Sequence, residues 1–328
     1  MYSHFKILLI FFVLFFSACD RTNINEPVDD GLPPATPVNF NVFRARDGEV
    51  GIEWLRNKEP DIKQYRIYRS INNPDNYELI DSTIVEYYID YYLEYDSTYY
   101  YKVTAVDIFE RESYPTSPLS AKPVNYYRPS VPYLIQINAR NWNDSLSVHL
   151  FWQPVEDTDL LGYEIYRDTI PDFTPDTASL TGFTIALEFD DTKNLEMLKK
   201  FYYKILAVDK GNFRSSPSAL VSDIILNKPL QFFPVNNKSV EPFAELKFKT
   251  VSAPALYKIV IQSNEMYGVV KELNFFSGIT DSIISIEFSS NNLESFKKYY
   301  WRIFTYTESY TDPNSFSDLF NFSVNSGL

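Results

Sequence analysis

Short runs in which apolar and polar side chains alternate recur along most of the chain. "VGIEW" (50–54), "YRIYR" (65–69) and "YKVTAVD" (101–107) are of this kind, and the stretches between such runs are rich in Asp, Asn, Gly, Pro and Ser. Alternation puts every second side chain on one face, so these runs predict half-buried β-strands joined by turns. One segment breaks the pattern. Residues 7–16, "ILLIFFVLFF", are apolar without interruption, follow Lys6, and lead into Ser17, Ala18 and Cys19. Ten residues are too few to span a bilayer as a mature helix but suit the apolar region of a secretion signal.

The strand-like runs return in the same order about a hundred residues later, as in a tandem duplication. "PVNFNV" (37–42) parallels "PYLIQI" (132–137), each a strand opened by proline and so placed at a sheet edge. "VGIEW" parallels "VHLFW" (148–152), "DIKQYRIYR" (61–69) parallels "DLLGYEIYR" (159–167), and "YKVTAVD" parallels "YKILAVD" (203–209). "SPLSA" (117–121) and "SPSAL" (216–220) close the two copies. A third, more worn copy carries "LKF" (246–248), "LYKIVI" (256–261) and "YYWRIFTY" (299–306), with Phe248 in place of the tryptophan. Its alignment is set by one spacing: Leu93, Leu195 and Leu293 each stand six residues before Tyr99, Phe201 and Tyr299.

Trp, then Tyr-x-Ile, then Leu-x5-Tyr-x-Tyr/Val-x-Val-x-Ala resembles the fibronectin type III family, and the first unit resembles its bacterial branch. The resemblance is specific in the first two units and looser in the third. It implies an all-β chain of three tandem fibronectin type III-like β-sandwiches, over 34–124, 129–226 and 228–325; the polar stretch before them, rich in Pro, Asp and Gly, reads as a flexible tether (19–33) behind the signal peptide (1–18). The resemblance further implies that Trp54 and Trp152 point into the core from the second strand, with Tyr65, Ile67, Tyr101, Val103 and Ala105 pointing inward from the opposite sheet. Tyr99 and Tyr299 match the tyrosine-corner position, where the hydroxyl bonds to nearby backbone; Phe201 lacks that hydroxyl, which predicts a less rigid corner in the middle unit.

If those residues face inward, their neighbours face out. The candidate binding face is therefore Tyr68, Tyr100 and Lys102 in the first unit and Tyr166, Tyr202 and Lys204 in the second, flanked by Arg66 and Glu164. Lys258, Val260, Tyr300 and Arg302 fall there in the third. An exposed row of tyrosines among charges could stack on sugar rings or grip a protein; against this, cross-strand tyrosine pairs often simply cover a sheet. The densest tyrosine cluster, "YYIDYYLEYDSTYYY" (87–101), invites the same two readings.

Composition narrows the chemistry. Asp and Glu number 43 against 30 Lys and Arg, a net charge of −13, which argues against nucleic acid as a partner. The only cysteine is Cys19 and the only histidines are His4 and His149, so no disulfide forms within the chain and Cys/His zinc sites have no ligands. His149 lies on a strand and reads as structural. Asp157, Asp159, Asp190 and Asp191 have no EF-hand spacing and read as turn residues rather than a calcium site. "RARDGE" (44–49) reads as a hairpin turning on Asp47-Gly48. No catalytic residue, metal or cofactor is expected, because the sandwiches use every long segment.

The N-terminus resembles the lipobox of bacterial lipoproteins, with Phe16 where leucine is usual. That resemblance implies cleavage before Cys19 and lipid attached to it, hence a membrane-anchored chain without a transmembrane helix. The expectation is a non-enzymatic lipoprotein of the bacterial cell envelope, placed at the outer membrane on its periplasmic or surface face. It would act as a protein-interaction or spacer module with an envelope protein or glycan as partner. The alternative is a surface glycan binder accessory to polysaccharide uptake.

Overall fold

A computed structural model describes residues 29–307 and 312–325. Cys19 and the expected signal peptide lie outside them. Among the described residues the chain is all-β apart from one short 3-10 turn at Ser290–Asn292, and no helix is long and apolar enough to cross a membrane.

Three two-sheet sandwiches follow one another, each with the strand order of the fibronectin type III type. In the first, β1 (Val38–Arg46), β2 (Glu49–Leu55) and β5 (Tyr87–Asp90) form one sheet. Its other sheet runs β4 (Glu78–Thr83), β3 (Ile62–Ile71), β6 (Tyr99–Asp107), β7 (Leu119–Ala121). In the second, β8 (Tyr133–Trp142), β9 (Ser145–Gln153) and β12 (Glu188–Asp191) pair on one side. Opposite them run β11 (Leu180–Thr184), β10 (Leu160–Asp168), β13 (Lys200–Asp209) and β14 (Val221–Ile224). The third sets β15 (Leu230–Phe233), β17 (Glu245–Lys249) and β20 (Ile283–Glu287) against β18 (Ala255–Gln262), β19 (Val269–Ser277) and β21 (Lys298–Tyr306). Its last strand is split into β22 (Ser315–Phe316) and β23 (Phe320–Val324), and β16 (Lys238–Val240) pairs with β23 in parallel.

Alternation decides the cores. Val50, Ile52, Trp54, Tyr65, Ile67, Tyr101, Val103 and Ala105 are all buried. Val148, Leu150 and Trp152 meet Tyr163, Ile165, Tyr203 and Ile205. The worn third copy keeps the plan with Phe248, Tyr257, Ile259, Trp301 and Ile303. Trp54 meets Tyr65, and Trp152 meets Tyr163, edge to face with centroids 5.2 Å apart in both. Each of these core tyrosines is also tied to the turn after the second strand. Tyr65, Tyr163 and Tyr257 accept the backbone N–H of Asn57 (3.0 Å), Val155 (3.3 Å) and Val251 (3.0 Å). A buried phenol thus keeps a partner while its ring fills the core.

Asp47 and Gly48 turn the first hairpin with φ of 49° and 71°, as the Asp-Gly pair predicts. Asp29 pairs with Arg111 at 2.6 Å, and Glu59 accepts from Ala35 N–H at 2.7 Å, so the chain is held to the first sandwich before β1 begins.

The chain divides into two compact units. One holds the described residues up to 44 with 51–89 and 98–121; the other holds 45–50, 90–97 and the described residues from 122 onward. Within the latter, the second and third sandwiches share a sheet. β22 lies parallel to β8, with Ser315 opposite Asn141, so one sheet continues from β12 through β9, β8, β22 and β21 to β18 and β19. Asp223 is the polar centre of the join. Its carboxylate accepts from Ala139 N–H (2.7 Å), Thr307 Oγ1 (2.7 Å) and Asn314 Nδ2 (2.8 Å). Burial pushes the Asp223 carboxyl up despite these bonds.

Candidate functional site

The candidate face is the outer side of the β4-β3-β6-β7 sheet and its equivalent in the second sandwich. The strand register brings the predicted residues together: Tyr68 lies opposite Lys102, and Tyr166 opposite Lys204. It does not leave them open. Tyr68, Tyr100, Lys102, Tyr202 and Lys204 are half-buried, Tyr166 is only 6% exposed, and Glu164 is 9% exposed. The expected exposed tyrosine row is therefore corrected. These residues do point away from the core, but partners from loops and the neighbouring strand cover them. Val260, 7% exposed, is covered in the third sandwich too.

The covering groups form one device in two charge orders. In the first sandwich Glu112, just beyond β6, reaches back over the sheet. Its Oε1 accepts from Tyr68 Oη and Thr104 Oγ1, both at 2.6 Å, and its Oε2 from Arg66 Nη1 at 2.5 Å. In the second, the acid and base trade places. Glu164 stands where Arg66 was, and Arg214 where Glu112 was. Arg214 grips Glu164 with Nε and Nη2, both at 2.7 Å, and Tyr166 Oη donates to the same carboxylate at 2.6 Å. Two parallel N–H···O bonds on a carboxylate are the strong geometry for such a pair. Burial alone would raise Glu112, but the bonds from Thr104, Tyr68 and Arg66 outweigh it and hold its carboxyl below the usual range. The Arg214 guanidinium, against burial and with help from Tyr166, holds Glu164 low as well. Burial and the Glu164 charge push Tyr166 up to about 12.

The lysines are covered by an aromatic residue from the loop after the third strand of each unit. Lys102 sits over the Tyr77 ring at 4.0 Å and Lys204 over the Phe173 ring at 4.9 Å. Beyond this the two sandwiches part. Phe173 packs with Tyr166, Leu206 and Tyr202, and Lys204 donates to the Phe173 carbonyl at 2.6 Å. In the first sandwich Thr104 takes the place of Leu206, and the covering loop is residues 72–77 rather than 169–179. There a cavity of about 370 Å³ remains, lined by Tyr68, Tyr77, Lys102, Thr104, Glu112 and Pro115.

The other sequence candidates have structural partners. His149 is half-buried with Nδ1 2.9 Å from Asp190 Oδ1, at the wall of a cleft of about 640 Å³ where Arg140 pairs with Asp312 at 2.9 Å. The four aspartates weighed for calcium serve separate ends. Asp157 accepts from Ser130 N–H, buried Asp159 accepts from Tyr95 Oη, Asp190 faces His149, and buried Asp191 accepts from Arg167 at 2.5 Å and Tyr203 at 2.8 Å. Among the described residues no group of three or more His, Cys, Asp or Glu side chains is placed to hold a metal ion. At the third-unit corner Tyr299 Oη accepts from Glu294 N–H at 2.9 Å, as the resemblance implies. Phe201 instead lies under the Arg167 guanidinium at 5.3 Å.

Sequence reasoning missed Glu112, Arg214, Tyr77 and Phe173. The first two were discoverable as opposite charges placed alike in the two copies, after "AVD", with signs reversed relative to Arg66 and Glu164. The loop aromatics carry no positional signal of that kind.

No family model and no curated protein sequence matches the chain. Among solved structures, the crystal structure of the FN1–FN3 domains of chicken CNTN1 aligns with 90% of this chain and 100% of its own length, at 12% identity and a TM-score of 0.35. The chain is all-β, with three tandem sandwiches of fibronectin type III-like strand order.

Proposed function

We propose that this chain is a non-enzymatic, membrane-anchored lipoprotein of the bacterial cell envelope that acts as a protein-interaction or spacer module. The observation that carries the reading is the treatment of the outward polar residues. Glu112, Arg66, Glu164 and Arg214, the charged groups best placed for chemistry on the sheet face, are spent on locking tyrosines to the sheet. Groups committed in this way stiffen a surface and are poorly placed to move protons. Cys19 supplies the anchor, and the Asp29–Arg111 ion pair ties the end of the tether to the first sandwich. Lipid labelling in a bacterial host tests the anchor: label is expected on the wild type and absent from Cys19→Ala. Label that persists in the variant sinks the lipoprotein reading.

A further inference from the structure

The two copies of the candidate face differ at one place, and the difference describes a ligand. In the second sandwich an aromatic ring, Phe173, lies against Tyr166 and Leu206 under the Lys204 ammonium, and its main-chain carbonyl accepts from that ammonium at 2.6 Å. In the first, the shorter loop carries Tyr77 to the lysine but does not close onto Tyr68, and Thr104 is smaller than Leu206. The space left is the cavity of about 370 Å³. Two tyrosines and Pro115 line it together with Lys102, Thr104 and Glu112.

The polar groups around it are unevenly satisfied. Glu112 is neutralised by Arg66 and accepts from Tyr68 and Thr104. Lys102, unlike Lys204, reaches no carbonyl or carboxylate among the described residues and rests only on the Tyr77 ring. The Tyr77 hydroxyl is buried and has no hydrogen-bond partner. An apolar slot beside an ammonium with unused N–H groups suits a planar ring attached to an acceptor.

We infer that this cavity is a docking site for an aromatic residue of a partner protein, its ring between Tyr68 and Pro115 and its main-chain carbonyl on the Lys102 ammonium. The second sandwich carries the same arrangement within itself, with Phe173 in the part of the guest. The guest is a ring plus its own peptide carbonyl, which distinguishes it from a pyranose, whose hydroxyls would need several open donors and acceptors. This deepens the interaction-module reading but does not depend on the anchor, which lipid labelling tests separately.

The test is ligand-observed fluorine NMR on the full-length chain in detergent micelles, with N-acetyl-4-fluorophenylalanine amide as probe. Saturable broadening with a dissociation constant on the order of millimolar is expected for a single residue of this size. Thr104→Trp places a ring in the cavity itself, as Phe173 fills its counterpart, and is expected to abolish the broadening. Lys102→Met keeps the walls and should weaken binding roughly tenfold through loss of the charge-assisted bond. Phe173→Ala opens the equivalent place in the second sandwich and should add a second site. No broadening in the wild type, or broadening unchanged in both Thr104→Trp and Lys102→Met, overturns the inference. So does displacement of the probe by methyl glucoside at a lower concentration than by unlabelled N-acetylphenylalanine amide, which would assign the cavity to a sugar.

Discussion

The first and second sandwiches solve one problem with opposite charge orders. Each must hold a tyrosine flat on the outer face of the sheet. The first does so with a base on β3 and an acid after β6; the second has the acid on β10 and the base after β13. The carboxylate takes the tyrosine proton donor in both, so it is the constant feature and its position is free. The arginine side chain on the β3 face is 28% exposed in the first copy, and the glutamate in its place 11% in the second. The first pair is shielded on both members, whereas Arg214 is 49% exposed, so leaving one member alone costs more in the first sandwich than in the second. What is preserved between copies is a three-group circuit, and this is why single positions on the face do not align by chemistry.

The sharpest way to break the comparison is to reverse one charge. Arg66→Glu sets two carboxylates together over Tyr68 and should lower stability by about 2–3 kcal/mol, below the cost of breaking a fully buried pair because both side chains keep some contact with water. Arg66→Glu with Glu112→Arg rebuilds the order of the second sandwich and should recover all but about 1 kcal/mol, read as the coupling energy in a denaturant double-mutant cycle. A double variant no more stable than the single reversal would mean that the two circuits are unrelated.

A smaller effect separates the aspartates that end β6 and β13. Both are fully buried. Asp107 has Arg111 Nε on its second oxygen at 2.7 Å, and burial is outweighed by that residue's bonds, so its carboxyl is held below the usual range. In the second copy Phe213 replaces the arginine. Asp209 Oδ1 accepts from Phe213 N–H and Asn125 Nδ2, while Oδ2 has no hydrogen-bond partner, and burial pushes the carboxyl up. The signs differ accordingly. The stabilising contribution of Asp107 is complete above its unfolded pKa and is lost as pH falls through the lower folded value. Asp209 is most favourable below its unfolded pKa and becomes a liability as pH rises through its raised folded value. Asp107→Asn should therefore lower the melting temperature at pH 7 and Asp209→Asn should raise it. Equal shifts of one sign would refute the contrast.

The smallest predicted effect concerns the corners. Tyr299→Phe removes the acceptor for Glu294 N–H and should cost about 0.5–1.5 kcal/mol. The middle unit, which already has Phe201, should show faster amide exchange at that corner than the third. Equal protection at residues 196 and 294 would show that the Arg167 cover over Phe201 compensates fully.

Strands and cores were legible because alternation alone decides them. Trp54, Tyr65, Tyr101 and Val103 are inside by counting every second residue, and the same count found Trp152 and Phe248. The candidate face was legible only in direction. That Tyr68 and Tyr166 point outward follows from the period; that they are covered depends on Glu112 and Arg214, 44 and 48 residues further along, and on Tyr77 and Phe173 in loops of unequal length. Which loop returns over a sheet is a matter of tertiary packing, and no local pattern encodes it. The hydroxyl of Tyr65, tied to Asn57, was missed for a related reason. The period places the ring but is silent about where a phenol at its far end finds a donor.

The sheet shared by β8 and β22 has a consequence for synthesis. Asp223 and strand β8 emerge from the ribosome well before Thr307, Asn314 and Ser315, which are 84, 91 and 92 residues downstream of Asp223. At elongation rates of about 5–20 residues per second, that leaves several seconds in which the middle sandwich can fold with its β8 edge unguarded. During that interval a nascent neighbour on the same message could pair with the edge in place of the chain's own last strand. Translation speed across residues 224–315 thus sets how long the protein is exposed to mispairing, and slow codons there would carry a cost invisible in the finished fold.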